Sequence, residues 1–386
     1  MSREIVDMVH RTAGSRRYDV AVITSTFPRH SGDFAGSFLG DLCGAIPLKL
    51  VVVCPDDPLH EGPESSIERR TFPHARVFYG DGAIANMRAR GRRPLAVLFA
   101  LAAMLFVSLR ATRRSTTIWS HWALPSGLVG ALCRLVWRRR HVLLLHSADV
   151  WLMEQLTGGR LLARFVSSQV DELYAVSAEL AERFALLSGR RAQVLGCGVR
   201  TNPYIRSAER PPRVGTLSRL VPSKGVLELA RRRRGLTAEL HIAGAGPELE
   251  DLRSLCGAGL PTLHGALTGD SKLKFLNDLD VFLAPYSRSV WGQGEGLPVA
   301  VLEAMAAGCP VVAFESAVPA GLITNGEHGW LVADGDFAAL IARTNALLAD
   351  AAGRARMGEA ARARTAPYEL TSVAARWARV LGGVEL

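Results

Sequence analysis

Short apolar runs alternate with amphipathic segments along most of this 386-residue chain. Runs such as 18–25 (YDVAVITS) and 49–54 (KLVVVC) are short and rich in valine and isoleucine, which is typical of buried strands. Segments around 125–138 and 178–188 instead have apolar residues at helical spacing. Strands that alternate with helices predict βαβ units and a doubly wound parallel sheet.

The predicted strands form two series, and the length of the chain favours two domains. Residues 196–204 (GCGVRTNPY) separate the series, and their glycines and proline predict a hinge. We expect an N-terminal extension over 1–16, a first domain from 17 to 198 and a second domain from 199 to 365. The predicted strands are 18–25, 49–54, 75–80, 116–121, 141–146 and 172–177, then 213–220, 238–244, 261–265, 280–286 and 310–314.

The net charge of +10 indicates an acidic partner. Nucleotide-sugars, membrane surfaces and nucleic acids all carry suitable negative charge. The six cysteines form neither a CxxC pair nor a Cys/His ligand pattern, so we expect a reduced, cytoplasmic protein without structural zinc. A polar, charged N-terminus predicts no secretory signal.

A sixteen-residue apolar run, 94–109 (PLAVLFALAAMLFVSL), has arginines on both sides. It is shorter than the roughly 20 residues that span a bilayer. Two interpretations stay open: a buried helix of an α/β domain, or an interfacial helix on anionic lipid.

Residues 295–303 (EGLPVAVLE) place two glutamates around the start of a helix. Pro298 suits the first helical position, and Gly308 suits the helix end. Glu295 then lies in the preceding loop and Glu303 within the helix. Between them, free backbone N–H groups and the helix dipole form an anion site. This arrangement suits a nucleotide-sugar.

The stretch 295–313 (EGLPVAVLEAMAAGCPVVA) closely resembles the Glu-x7-Glu signature of glycosyltransferase family 4, retaining enzymes with the GT-B fold. The resemblance implies two Rossmann-like domains facing across a cleft, with residues 366–386 crossing back onto the first domain. It implies that Glu303 binds ribose, that Glu295 contacts the donor sugar, and that Gly296 and Leu297 line the donor site. It also favours burial of the helix at 94–109.

Several first-domain motifs match the family at the ends of predicted strands. The loop 26–38 (TFPRHSGDFAGSF) resembles the glycine-bearing loop placed against the donor, with Gly32 near the ligand and Asp33 as the expected N-cap of the next helix. His121, in SHWALPSG, matches a histidine that faces the donor sugar. His146 and Asp149, in HSADVW, match a motif where acceptor contacts are expected.

The second domain supplies cations. Arg219 and Lys224, in GTLSRLVPSKG, resemble the family's Arg…Lys pair. Such groups stabilise the negative charge that grows on a departing diphosphate. Gly244 and Gly246 lie in a strand-to-helix turn that approaches the nucleotide in the family. The turn lacks full GxGxxG spacing, which argues against a dinucleotide site.

The pairs Asp278/Asp280 and Asp334/Asp336 resemble metal-binding DxD strings. Asp280 opens a predicted strand and Asp336 is the expected N-cap of a helix, so structural roles suffice. The family uses cationic side chains instead of a divalent ion, and we expect no cofactor and no metal. One departure concerns the loop 316–323, where Ala317 and Ala320 replace an expected glycine and glutamate.

The sequence thus predicts a metal-independent retaining glycosyltransferase acting on a nucleotide-sugar donor and a hydroxyl-bearing acceptor, without a nucleic-acid partner. Peripheral contact with the inner face of an anionic membrane is a second expectation. The alternatives are a sugar-nucleotide epimerase of the same architecture and a non-catalytic nucleotide-sugar binder. A glycosidase using Glu295 and Glu303 is disfavoured, since nothing indicates a hydrolase cleft.

Overall fold

The structure is a computed structural model that describes residues 17–30, 32–56, 67–73, 94–201, 210–255, 261–287 and 296–383. The chain divides into two compact units. Unit 1 comprises residues 1–198 and 370–386, and unit 2 comprises residues 199–369.

Unit 1 is built on a seven-stranded parallel sheet in the order β3-β2-β1-β4-β5-β6-β7. Its apolar strands are buried from both sides, as helix crossovers require; Val20, Ala21, Val22 and Ile23 are fully buried. The strands are β1 (Tyr18–Ile23), β2 (Leu50–Pro55), β3 (Glu68–Phe72), β4 (Ser115–His121), β5 (Arg140–Leu145), β6 (Glu172–Ala175) and β7 (Gln193–Val194).

The helices of unit 1 connect these strands, and the last one returns from the C-terminal end of the chain. In that returning helix Trp377 is fully buried; its ring lies 4.9 Å from Trp119, and its Nε1 donates to the Gly196 carbonyl. The helices are α1 (Ser37–Ala45), α2 (Pro94–Arg113), α3 (Leu128–Trp137), α4 (Ala148–Gln155), α5 (Gly159–Ser168), α6 (Ala178–Ser188) and, after unit 2, α13 (Leu370–Gly382).

Unit 2 has a six-stranded parallel sheet in the order β10-β9-β8-β11-β12-β13. Its strands are β8 (Arg213–Leu217), β9 (Glu239–Ala243), β10 (Thr262–Gly265), β11 (Val281–Ala284), β12 (Val311–Phe314) and β13 (Gly329–Val332). Its helices are α7 (Val226–Arg232), α8 (Leu249–Ser254), α9 (Gly269–Asn277), α10 (Val299–Ala306), α11 (Phe337–Ala349) and α12 (Ala351–Arg364).

The two doubly wound sheets confirm the predicted α/β class. The sequence did not predict β3, β7 and β13, which are short or lie at a sheet edge. Half-exposed β3 carries a polar sequence, ERRTF, which has no apolar run. The predicted strand 75–80 lies outside the described residues.

Helix α2 differs from the prediction in length and in burial. It extends through the following arginines to Arg113, so by length and composition alone it could cross a membrane. One face, including Ala100 and Met104, is fully buried, whereas Leu95 and Leu98 are 79% and 62% exposed. The expectation of a buried helix is therefore wrong for its outer face.

Candidate active site

The candidate residues of each unit lie where the strand order reverses. In such sheets, ligands bind outside the carboxyl ends of the strands at this reversal. In unit 2 the reversal lies between β8 and β11, and in unit 1 between β1 and β4. Arg219 and Lys224 follow β8, whereas His121 ends β4.

The loop that carries the two unit-2 cations is fixed by the neighbouring loop after β11. Arg219 is exposed at the start of this loop, and Lys224 is 8% exposed at its end. The Lys224 Nζ lies 4.0 Å from the ring centre of Tyr286, a cation–π contact. Tyr286 donates its hydroxyl to the Leu217 carbonyl, and the Ser287 N–H donates to the Ser223 carbonyl. The lysine is thus held before any ligand binds.

The turn after β9 needs glycine for two reasons. Gly244 and Gly246 have φ angles of 147° and 156°. A Cβ on Gly244 would lie 1.9 Å from the Ser218 carbonyl oxygen, and one on Gly246 would lie 2.3 Å from that of Leu220. The two glycines therefore let this turn pack directly against the loop that contains Arg219.

Glu303 lies within α10 and is 8% exposed. Its Oε1 is 2.6 Å from the Nζ of Lys272, which lies on α9. A buried carboxylate needs such a cationic partner to offset the cost of desolvation. The ion pair holds the Glu303 carboxylate, which can accept hydrogen bonds, close to the start of α10. At that end of the helix, backbone N–H groups point outward.

The residues before α10 are only partly described. Gly296 is buried and Leu297 half-buried directly before the helix, whereas Glu295 lies outside the described residues. Pro298 is the N-cap, with ψ of 91°, so the prediction that it is the first helical residue is wrong by one position. The helix ends at Ala306, before Gly308.

The unit-1 residues form a cluster of aromatic and imidazole rings, in which His121 is buried and Trp122 and His146 are half-buried. His121 is fully buried, and its Nδ1 lies 3.2 Å from the Nε2 of His146. Trp122 stacks on His146 with ring centres 4.2 Å apart. The other ring nitrogen of His121, Nε2, is buried and has no hydrogen-bond partner among the described residues.

Burial keeps the two histidines of this cluster neutral. Desolvation, followed by the neighbouring His146, holds the pKa of His121 well below its usual value. Desolvation alone lowers the pKa of His146 to about 3. The same burial raises the pKa of Asp149 to about 6, although backbone N–H groups oppose the shift. Asp149 accepts from the N–H of Ala123 at 2.7 Å and of His146 at 3.3 Å, and so ties together the two strand-end loops.

The glycine-bearing loop after β1 differs from the prediction. Gly32 is exposed, as a ligand contact requires, but Asp33 is not the N-cap of α1; that position belongs to Gly36. Asp33 is buried and forms an ion pair with Arg29 at 2.6 Å. Although burial opposes it, hydrogen bonds from Arg29 and Ala35 lower the pKa of Asp33. The aspartate organises the loop rather than capping the helix.

Comparison with known proteins gives the family. The chain is 30% identical over 94% of its length to the GDP-mannose-dependent alpha-(1-6)-phosphatidylinositol monomannoside mannosyltransferase of Mycobacterium tuberculosis, covering 98% of that protein. Residues 211–350 match the family model described as glycosyl transferases group 1. The chain belongs to glycosyltransferase family 4.

Other relatives of this family-4 enzyme agree. The mannosyltransferase of the same name from Mycolicibacterium smegmatis is 34% identical over 64% of the chain and 70% of that protein. Among solved structures, Anabaena Alr3699/HepE, crystallised with UDP and glucose, has a TM-score of 0.71 at 17% identity, covering 95% of this chain and all of HepE. Sucrose-phosphate synthase from Thermosynechococcus elongatus has a TM-score of 0.74 at 17% identity, covering 94% and 98%. These likenesses confirm the predicted GT-B fold.

The aspartates of the two DxD strings of the family-4 enzyme have structural partners. Asp280 accepts from Arg210 and from the Arg213 N–H, both at 2.9 Å. Asp336 caps α11 by accepting from Ala339. Asp334 accepts from Ser287 and from the Ser316 N–H, and so joins the loop after β11 to the loop after β12.

Sequence reasoning missed two residues of the family-4 enzyme that the structure places at these sites. Lys272 precedes the buried Phe275 and Leu276 by three and four positions, so it lies on the buried stripe of α9. A lysine at such a position is a signal of a buried ion pair. Trp122 has a φ of 68°, an unusual backbone conformation for tryptophan, and no sequence pattern predicts it.

Proposed function

We propose that this protein is a retaining mannosyltransferase that moves mannose from GDP-mannose to a hydroxyl of a lipid-borne acceptor. The observation that carries the proposal is the pre-formed cationic loop of unit 2, in which Lys224 is held by Tyr286 beside the exposed Arg219. The choice of donor and acceptor follows the mycobacterial relatives, whose names specify GDP-mannose and a phosphatidylinositol mannoside.

The leaving group sets the main chemical demand. Breaking the bond between the anomeric carbon and the phosphate oxygen leaves a nucleoside diphosphate with increased negative charge. Arg219, Lys224 and the N-terminal end of α10 would stabilise that charge more strongly in the transition state than in the ground state. These groups are fixed parts of the protein, so the reaction as proposed needs no divalent ion.

Two side chains would position the donor: Glu303, which already has a cationic partner, and His121, which is uncharged. Glu303, held by Lys272, would accept hydrogen bonds from the ribose hydroxyls. His121 is buried and neutral, and its Nε2 would hydrogen-bond a hydroxyl of the sugar. Glu295 is proposed as a further contact of the donor sugar.

Retention would follow from a front-face route. The acceptor hydroxyl attacks the anomeric carbon from the side that the diphosphate leaves, and its proton passes to the departing phosphate oxygen. One C–O bond breaks and one forms on the same face, so the anomeric configuration is kept. The alternative is a non-catalytic binder of nucleotide-sugars, which is suggested by the altered sequence of the loop 316–323, with Ala317 and Ala320.

A donor panel followed by a transfer assay tests the proposal. Thermal shifts with GDP-, UDP-, ADP- and dTDP-sugars should be largest for GDP-mannose. Incubation with GDP-mannose and a phosphatidylinositol mannoside should give an α-linked product by NMR, with the same rate after EDTA treatment. A β-linked product contradicts retention, loss of activity with EDTA contradicts metal independence, and tight binding without transfer favours the non-catalytic alternative.

A further inference from the structure

We propose that the outer face of α2 docks the protein on an anionic lipid bilayer. This face consists of Leu95, Leu98, Phe99, Phe106 and Arg110, which recur at helical spacing. Leu95, Leu98 and Phe106 are 79%, 62% and 54% exposed. An exposed apolar stripe of this length on a soluble domain is typical of a binding surface.

The packing of α2 favours a helix that lies in the membrane interface. Its opposite face, with Ala100 and Met104 fully buried, packs on strands β1 to β4 of the unit-1 sheet. A bilayer-spanning α2 would have to leave that sheet and expose these side chains. The stripe from Leu95 to Phe106 is roughly 16 Å long, which suits insertion of one helix face to the headgroup boundary.

Charge complementarity identifies the membrane as anionic. The sequence contains no aspartate or glutamate from residue 82 to residue 148, whereas Arg110, Arg113, Arg114 and Arg138 are exposed at the C-terminal ends of α2 and α3. The Arg110 guanidinium lies 4.1 Å from the ring centre of Phe106, and that of Arg113 lies 5.7 Å from the ring of Trp137. Arginines beside an apolar face place their charge at the level of lipid phosphates.

The apolar exposure is confined to one unit. Every large apolar side chain that is exposed among the described residues lies between residues 95 and 194, in unit 1. Leu135 and Val136, at the end of the neighbouring α3, are 54% and 56% exposed and extend the apolar surface. The Trp137 indole donates to the Leu109 carbonyl and fixes the two helix ends together. A general excess of apolar surface would not be limited to unit 1.

The direction in which α2 runs places its N-terminal end on the side of the unit-1 candidate site. A crossover helix runs antiparallel to the strands it joins, so Leu95 lies at the edge of the sheet where β4 ends in His121. If the acceptor is lipid-borne, as the proposed function states, this end of α2 would present the bilayer on the side of the unit-1 site.

Flotation of the purified full chain with vesicles tests the docking face. The wild type should float with vesicles of equal parts phosphatidylcholine and phosphatidylglycerol, and much less with phosphatidylcholine alone or at high salt. The double variant L98E/F106E should lower partitioning by roughly tenfold or more. R110Q should lower it by roughly fivefold. The matched control A342E/A349E adds two carboxylates to the exposed face of α11 in unit 2 and should leave partitioning unchanged.

Thermal melts and the thermal shift with GDP establish that each variant is folded and that its unit 2 still binds nucleotide. Donor binding is thereby measured separately, so a failure of docking is distinct from a failure of the proposed function. The docking face is contradicted if the wild type stays in the soluble fraction with anionic vesicles, or if L98E/F106E floats like the wild type. It is also contradicted if size-exclusion chromatography reveals a dimer that L98E/F106E dissociates, since the face would then bind a second copy.

Discussion

The two units share one architecture, but their candidate residues differ in charge. Both have a parallel sheet with candidate residues at the reversal of strand order. In unit 2 the reversal carries charge: Arg219, Lys224 and the Lys272–Glu303 ion pair. In unit 1 it carries His121 and His146, which burial keeps neutral.

The difference follows from what each group contacts. Lys224 is nearly buried, yet the electron-rich face of Tyr286 stabilises its charge. His121 instead lies against another imidazole, that of His146, and burial together with this neighbour disfavours its protonation. The fold therefore sets the location of a site, and local side-chain contacts set its chemistry.

The largest effect is expected from removing a cation of unit 2. Lys224→Met should lower kcat by about 100- to 1000-fold, because the lysine stabilises charge that develops on the departing diphosphate. Arg219→Ala should likewise lower turnover more than donor affinity. Steady-state kinetics with GDP-mannose measure both. Lys274→Met, which removes an exposed lysine of α9, is the matched control. Equal kcat in all three variants would remove unit 2 as the source of catalysis.

A smaller effect, on donor binding, is expected from the ion pair of unit 2. Glu303→Gln should weaken binding of GDP-mannose by roughly 10- to 100-fold, since hydrogen bonds to a charged acceptor contribute about 1.5–3 kcal/mol. Because Lys272 then lacks its buried partner, unit 2 should also lose stability. Adding Lys272→Met should restore stability without restoring binding. Calorimetric titration measures donor binding, and urea unfolding measures stability. If the double variant binds GDP-mannose as tightly as the wild type, Glu303 has only a structural role.

The sequence was most informative about features that a local pattern of residues determines. The strand and helix pattern predicts both sheets, and the 295–313 signature predicts Glu303 within a helix. Two side-chain contacts were not predictable: Lys272 meets Glu303 from another helix, and Asp33 binds Arg29, four residues before it, instead of capping α1. The sequence left the apolar run of α2 open between burial and a lipid interface, because an apolar run alone does not show which side packs on the sheet. Polar β3 was missed because it has no apolar run.

A third test compares two buried histidines of unit 1. His141 is satisfied on both ring nitrogens: Nδ1–H donates to the Gln169 carbonyl at 2.8 Å, and Nε2 accepts from the Ser120 hydroxyl at 2.9 Å. His121 retains an Nε2 without a partner among the described residues. His121→Asn should therefore lower kcat/KM by about tenfold, the worth of a hydrogen bond to the sugar. His141→Gln should leave kcat/KM unchanged in folded protein. If His141→Gln lowers kcat/KM more than His121→Asn does, then His141 and not His121 contacts the sugar.

The smallest effect is on the pH dependence of stability, and His141 causes part of it. Burial lowers the pKa of His141 from 6.5 to about 4, although the Gln169 carbonyl opposes the shift. Between these values the unfolded chain binds a proton that the folded chain does not, so the free energy of unfolding falls as the pH drops. The contribution of His141 is about 1 kcal/mol from pH 6.5 to 5.5.

Asp149 acts in the opposite direction, because its pKa is raised to about 6 and the folded chain retains its proton longer. In urea unfolding followed by tryptophan fluorescence, the free energy of unfolding of His141→Gln should depend on pH less steeply than that of the wild type between pH 5.5 and 6.5, by roughly 0.7 proton. Asp149→Asn should make this dependence steeper. Parallel curves for His141→Gln and the wild type would indicate that His141 titrates normally and that its two hydrogen bonds do not favour the neutral ring.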